Sequence, residues 1–141
     1  MTTREPDARV EVFFYGLFMD EALLREKGLS PEDGRLASVE DFRLVIGERA
    51  TLVRREGSKA HGVLFSLTRE EVEALYSESS VSAYRPEVVT AHMTGGRVTR
   101  ALCFNLPAPP SDGERNPRYA SKLRELAGRV GLPEDYVSSI R

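Results

Sequence analysis

The sequence predicts an α+β fold of about six strands, curled into a barrel or a strongly twisted sheet, with helices against it. Short stretches of alternating apolar residues recur between glycine-containing turns, which is typical of strands. Stretches with helical spacing are interspersed among them irregularly, which favours α+β over a regular βαβ arrangement. The 141 residues show no internal repeat or boundary, so residues 1–141 are expected to form a single domain.

The first strand, a glycine turn and a helix are predicted within Val10–Met19 and the residues after it. Both faces of the strand become apolar toward its end, so it is expected to finish buried. Gly16 then interrupts the pattern, either through positive φ or because another group approaches the main chain closely. Asp20 is the expected N-cap of a helix over Glu21–Lys27 that stops at Gly28. Free N–H groups at such a turn can hold a carboxylate or an amide carbonyl, although a buried strand with a tight exit gives the same pattern.

Most of the remaining strands are separated by predicted turns. Arg55–Ser58 is expected to be the hairpin turn between two of them, and Thr94–Gly96 that between two others. The expected strands are Arg35–Gly47 (one or two strands), Ala50–Val53, Ala60–Leu67, Pro86–Met93 and Arg97–Leu106.

The helices carry recognisable start and stop signals. Thr68 and Glu71 form a capping box that opens the second helix. Asn116-Pro117 begins the longest helix, Gly131 ends it, and a last short helix is expected over Pro133–Val137. Pro107–Gly113 is expected to leave the sheet as a loop, and Met1–Arg9 to be a frayed polar leader.

Composition narrows the class of protein. The 20 basic and 22 acidic residues are interspersed and give a net charge of −2, so a nucleic-acid partner is not expected. One cysteine excludes an internal disulfide framework and suggests a reducing compartment. Neither a signal peptide nor an apolar run of ~18 residues is present, so we expect a cytoplasmic protein without a membrane partner.

Few side chains suit metal or cofactor chemistry. His61 and His92 lie within strand patterns, and Cys103 lies between apolar neighbours, so all three are expected to be structural. No metal site, nucleotide-binding loop or nucleophile elbow is present, and no cofactor is expected. Acid–base chemistry by a carboxylate remains. Glu78 follows the second helix, in a loop where reactive groups tend to lie, although a solvated loop glutamate is the alternative.

Several motifs, taken in order, resemble one known family. Tyr15-Gly16-Leu17-Phe18 is similar to an opening Tyr-Gly-Ser-Leu or Tyr-Gly-Thr-Leu. The further matches are Ala50–Val53, His61–Leu67, Leu75–Glu78 followed by Tyr84-Arg85, Asn116–Tyr119 and Gly131–Tyr136. Together they resemble the gamma-glutamylcyclotransferase-like (AIG2-like) proteins, from Val10 nearly to the C-terminus.

The resemblance implies a small mixed β-barrel with flanking helices and a cofactor-independent cyclotransferase activity. A γ-glutamyl amine or peptide would cyclise to 5-oxoproline and release its amine. Glu78 would be the general acid/base. The substrate-binding residues would be Tyr15, Gly16, Leu17, Phe18 and Tyr84.

Three departures from the family pattern are visible, and two other functions stay open. Leu17 replaces a hydroxyl residue, Glu78 lies one position nearer Leu75 than usual, and Tyr84 and Arg85 are adjacent. One alternative is a non-catalytic module that binds an amino-acid-like or amide ligand in the same cavity. The other is an interaction protein that makes contacts through Pro107–Gly113. The oligomeric state is open, with a homodimer as one option.

Overall fold

A computed structural model describes residues 8–141, which form a closed five-stranded barrel with helices outside it. The strand order around the barrel is β1-β3-β2-β4-β5, and only the contact between β1 and β5 is parallel. The strands are β1 (Arg9–Phe14), β2 (Glu32–Ile46), β3 (Ala50–Thr68), β4 (Arg85–Met93) and β5 (Val98–Asn105). The α+β class and the mixed barrel are confirmed, with five strands in place of about six.

The strand count is lower because the predicted turn at Arg55–Ser58 is not a hairpin. β3 continues through it for 19 residues, and the chain reverses instead between Ile46 and Ala50, which are paired. Asp41 opposite it has a φ of 65°, Gly57 has a φ of 83°, and the Gly57 N–H donates to Asp41 Oδ1 at 3.0 Å. The stretch is therefore an irregular bulge in two long paired strands, which uses the same residue types as a turn.

Residues 8–141 contain four α-helices, and all but the last begin at a side-chain cap that the sequence predicts. They are α1 (Glu21–Glu26), α2 (Arg69–Leu75), α3 (Pro117–Val130) and α4 (Glu134–Ser139). Asp20 accepts a hydrogen bond from the Ala22 N–H, and Asn116 accepts one from the Tyr119 N–H. Gly131 ends α3 with a φ of 96°, the left-handed conformation that glycine adopts most readily. A 3-10 turn over Thr94–Gly96 joins β4 and β5, as expected for that hairpin.

The capping box at the start of α2 is tied to the first strand. Glu71 Oε1 accepts from the Thr68 N–H at 2.8 Å, and its Oε2 accepts from the Ser30 N–H at 2.6 Å. Burial raises the pKa of Glu71, but these hydrogen bonds, the Thr68 side chain and the charge of Arg9 outweigh it and hold that pKa below its ordinary value. Arg9 Nε also donates to Ser66 Oγ at 2.9 Å. Arg9 is therefore the first residue of β1, not part of a frayed leader; residues 1–7 of that leader lie outside the described part of the chain.

The core has two parts, which meet at β1. Phe13 and Tyr15 belong to the cluster that contains Leu64 and Cys103. Phe14, the residue between them, belongs to the cluster that the helices form with the barrel. β1 is therefore buried on both faces at its end, as its sequence predicts, and Cys103 is a core residue. None of the helices in residues 8–141 combines the length and the hydropathy that crossing a membrane requires.

Candidate active site

A cavity of about 370 Å³ lies where β1 ends and the Gly16 turn begins. This volume is in the range of small-molecule sites. Its walls come from distant parts of the chain: the β1 end, α1, the turn between β2 and β3, the segment after α2, β5 and α3. The lining residues that matter below are Tyr15, Gly16, Leu17, Phe18, Lys27, Glu48, Arg49, Tyr76, Tyr84, Phe104 and Tyr119.

Position 16 requires a glycine because another side chain approaches its main chain closely. The other explanation offered by the sequence, a positive φ, is wrong. Its φ is −114° and its ψ is −150°, an extended backbone that other residues adopt. A Cβ at this position would lie 2.7 Å from the hydroxyl oxygen of Tyr119. Glycine therefore makes room for a side chain that α3 brings to the turn.

The turn leaves backbone donors available beside the cavity. Leu17–Met19 forms a 3-10 turn, whose hydrogen bonds run from Met19 N–H to the Gly16 carbonyl and from Asp20 N–H to the Leu17 carbonyl. Within residues 8–141, the N–H groups of Gly16, Leu17 and Phe18 donate to no backbone carbonyl. The Leu17 N–H meets the Tyr119 hydroxyl oxygen, and the N–H groups of Gly16 and Phe18 remain as donors that favour an oxygen ligand at the start of a helical turn.

Tyr119 lies directly against these donors. Burial and, to a smaller extent, the neighbouring Tyr84 raise the pKa of its phenol to about 12, although a hydrogen bond from the Leu17 N–H acts in the opposite direction. The hydroxyl is therefore neutral at physiological pH and can both donate and accept a hydrogen bond. A ligand oxygen that reached the turn would meet the backbone N–H groups and this hydroxyl together.

The cavity walls are predominantly aromatic. Tyr76 stacks on Phe104 with ring centroids 3.8 Å apart and an interplanar angle of 10°, and it meets Phe18 edge to face. The Tyr15 hydroxyl donates to the Phe104 carbonyl at 2.7 Å, and the Tyr84 hydroxyl donates to the Ala50 carbonyl. Because these rings pack on each other and the hydroxyls of Tyr15 and Tyr84 are bonded to backbone, the walls are fixed in position.

Glu78 lies at the rim of the cavity and does not line it. Its Oε1 accepts a hydrogen bond from Lys27 Nζ at 2.7 Å, and 39% of its side chain is exposed. Lys27 does line the cavity: 26% of its side chain is exposed, and its Nζ lies 5.9 Å from the centroid of the Phe18 ring. The carboxylate is thus connected to the cavity through a lysine.

Two residues of opposite charge, Glu48 and Arg49, also line the cavity, and they belong to the turn between β2 and β3. This turn is held by the loop before α3. Glu114 Oε1 accepts from the Glu48 N–H at 3.1 Å, and Asn116 Nδ2 donates to the Glu48 carbonyl at 3.0 Å. Pro110 also packs against Gly47. The proline-rich excursion predicted from the sequence therefore returns to the barrel and fixes this side of the cavity.

The structure brings most of the sequence-predicted site residues together and adds others. Tyr15, Gly16, Leu17, Phe18 and Tyr84 all line the cavity. Tyr119 and Lys27 were not among the predicted site residues. The sequence shows Tyr119 as part of the Asn116–Tyr119 motif and Lys27 as the last residue of a predicted helix, and each has an ordinary local explanation there. Among residues 8–141, no three potential metal-ligating side chains come together.

Comparison with known families agrees with this geometry. The sequence model of the family described as "Gamma-glutamyl cyclotransferase, AIG2-like" matches residues 12–122, most of the chain. The chain belongs to this family. The matched residues include the Gly16 turn, the segment with Glu78, and Tyr119, so the match covers every wall of the cavity.

Several solved structures have the same fold as this chain. A structure described as gamma-glutamyl cyclotransferase has 18% sequence identity and a TM-score of 0.79, covering 95% of this chain and 89% of that one. The uncharacterized protein LOC79017 from Homo sapiens has 19% identity and a TM-score of 0.77, covering 94% and 88%. YkqA from Bacillus subtilis has 21% identity and a TM-score of 0.74, covering 92% of this chain and 52% of its own. A comparison with curated protein sequences finds no match.

Proposed function

We propose that this protein is a γ-glutamylcyclotransferase that converts a γ-glutamyl amine or peptide to 5-oxoproline and the free amine. The main support is the placement of the Gly16 and Phe18 N–H groups, which donate to no backbone carbonyl, and of the neutral Tyr119 hydroxyl beside one cavity. Membership in the gamma-glutamyl cyclotransferase, AIG2-like family supports the same reaction. The donors suit the amide carbonyl oxygen, on which negative charge develops during the attack.

The reaction is an intramolecular exchange of one amide for another. The α-amino nitrogen of the glutamyl group attacks its own side-chain carbonyl carbon, and the bond to the leaving nitrogen breaks. The attacking ammonium gives up two protons as it becomes the lactam N–H. One of them reaches the leaving nitrogen, and the other passes to the released amine or to water, so the step needs no redox partner. The cavity contributes by folding the flexible chain into the ring-closing conformation, which is an orientation effect.

In this proposal Glu78 carries the proton between the two nitrogens. Its carboxylate lies at the rim, where it can accept a proton from a substrate ammonium and return it to the leaving amine. The rings of Phe18 and Tyr84 would enclose the substrate, and the Leu17 N–H would hold the Tyr119 hydroxyl beside it. Leu17 removes the side-chain hydroxyl that the family motif usually supplies but leaves the backbone donors in place.

The test is the Glu78→Gln variant, assayed for 5-oxoproline release across a panel of γ-glutamyl amines and dipeptides. General acid–base catalysis is worth ~100- to 10,000-fold, so turnover should fall by at least about 100-fold while the amide keeps the size of the side chain. Glu73→Gln is the matched control, because Glu73 is exposed on α2 and should leave turnover unchanged. Turnover by Glu78→Gln at a rate near that of the wild type would show that Glu78 is not the acid/base. Glu48→Gln would then test the carboxylate that does line the cavity.

A non-catalytic binding module is the second candidate, and one observation favours it. The Glu78 carboxylate is 39% exposed and paired with Lys27, an arrangement closer to an ordinary ion pair than to a shielded catalytic acid. A binding module would be stabilised by γ-glutamyl compounds without releasing 5-oxoproline. In that case Glu78→Gln would weaken binding modestly and would have no turnover to lose.

A further inference from the structure

We infer that Lys27 recognises the α-carboxylate of the γ-glutamyl group and so restricts the site to substrates in which that carboxylate is free. The inference rests on the proposed function, since it names the substrate class that the same cavity accepts. It depends on an ion pair at the rim and on the charges that a γ-glutamyl group carries.

The Lys27–Glu78 ion pair is complementary to the two charges of a γ-glutamyl group. A γ-glutamyl compound carries an ammonium and a carboxylate on one carbon, so its two partners in the protein must be neighbours. Lys27 Nζ and Glu78 Oε1 are 2.7 Å apart. If the substrate ammonium takes Glu78, its carboxylate is left beside Lys27, and one protein ion pair is exchanged for two pairs with the ligand.

The environment of Lys27 suits this exchange. Its side chain lines the cavity with 26% exposure, and its ammonium lies 5.9 Å from the centroid of the Phe18 ring, a cation–π contact that helps to hold it there. Ion pairs between partly exposed side chains contribute little to stability, so opening this one costs the protein little. A ligand carboxylate bound between Lys27 and the aromatic wall is less exposed to water and gains more from the charge.

Arg49 is the other basic residue of the cavity lining, and its position suits this role less well. It lies on the turn between β2 and β3, next to Glu48, and its charge acts on Tyr84 and Glu114. No carboxylate of the described residues lies within 4.0 Å of the Arg49 guanidinium, whereas Lys27 Nζ is in direct contact with Glu78. A carboxylate held by Arg49 would therefore lack the paired acid that Lys27 has in Glu78.

The test compares γ-glutamyl-p-nitroanilide with its α-carboxamide counterpart, by release of p-nitroaniline. We expect wild-type kcat/KM to favour the free carboxylate by roughly 10- to 100-fold, the range of a charged hydrogen bond. Lys27→Met, which keeps the length of the side chain, should lower kcat/KM for the substrate with the free carboxylate and leave that for the carboxamide unchanged, so the preference is lost. Lys27→Arg, which keeps the charge, should retain part of the preference. Arg25→Met is the control on the same helix, because Arg25 pairs with Glu21 away from the cavity.

Equal losses on both substrates in Lys27→Met would overturn the inference, because Lys27 would then act only through Glu78. Loss of the preference in Arg49→Met but not in Lys27→Met would overturn it as well. Binding of 5-oxoproline and of 2-pyrrolidone, which lacks the carboxylate, is measured in parallel by calorimetry. Lys27-dependent preference for 5-oxoproline without any turnover would refute the proposed function but support the inference. Turnover with a preference for the free carboxylate that is unchanged in Lys27→Met would support the proposed function and refute the inference. If neither compound binds and no substrate is turned over, both the proposed function and the inference are refuted.

Discussion

Replacing Gly16 with alanine should destabilise the protein even though alanine tolerates the backbone conformation found there. A Cβ at Gly16 would lie 2.7 Å from the Tyr119 hydroxyl oxygen, whereas ordinary contacts begin at 3.4 Å, so the atoms must separate by about 0.7 Å. An extra methyl group in a packed site costs about 1–3 kcal/mol. Alanine recovers about 0.4–1 kcal/mol by restricting the unfolded chain. The net loss should be about 0.5–2 kcal/mol.

The loss can be measured by urea unfolding followed by circular dichroism, and by thermal melting. For 141 residues the entropy of unfolding is about 0.3 kcal/mol/K, so Tm should fall by roughly 2–7 °C. Gly128→Ala is the matched control. Gly128 lies in α3 with no atom within 4 Å of its added Cβ, so alanine there should stabilise the protein by up to about 1 kcal/mol.

A double-mutant cycle assigns the loss to the contact itself. Tyr119→Phe removes only the hydroxyl that meets the added methyl group. For a net loss of about 2 kcal/mol in Gly16→Ala alone, the same substitution should cost at least about 1 kcal/mol less in the Tyr119→Phe background. Additivity within about 0.5 kcal/mol, together with a clear loss in Gly16→Ala alone, would refute the steric explanation. Unchanged stability in Gly16→Ala would show that the turn adapts to a side chain.

Two further predictions concern the stability of variants at residues that do not line the cavity. Gly62→Ala should cost more than Gly16→Ala, at least about 2 kcal/mol in urea unfolding, because its Cβ would meet the rigid carbonyl oxygen of Phe14 and the ring of Phe13; a cost below about 1 kcal/mol would contradict this. Glu71 has a lowered pKa in the folded protein, so its stabilising effect is present above its unfolded pKa near 4.5 and is lost as pH falls through the folded value. Glu71→Gln should therefore flatten the decline in stability between about pH 6 and about pH 3, and an equally steep decline would show that other carboxylates cause it.

The sequence alone determined the elements whose signals are local. The caps at Asp20, Thr68 and Asn116 each begin a helix in the structure, because a cap depends on a side chain and on backbone groups within three residues of it. The burial of β1 on both faces followed from its own apolar pattern for the same reason. The resemblance to the gamma-glutamyl cyclotransferase, AIG2-like family also came from short motifs in order, and the family match confirms it.

The tertiary structure decided what depends on contacts between distant segments. The bulge near Gly57 has the residue types of a hairpin turn, and only pairing with β2 distinguishes the two. Gly16 is compatible with a positive φ or with a close neighbour, and the position of α3 selects the second through Tyr119. Lys27 has an ordinary place at the end of α1 until the loop after α2 brings Glu78 within 2.7 Å of it. A local pattern fixes which backbone conformation a segment prefers, whereas the partner of a side chain is fixed by packing, which joins segments far apart in the sequence.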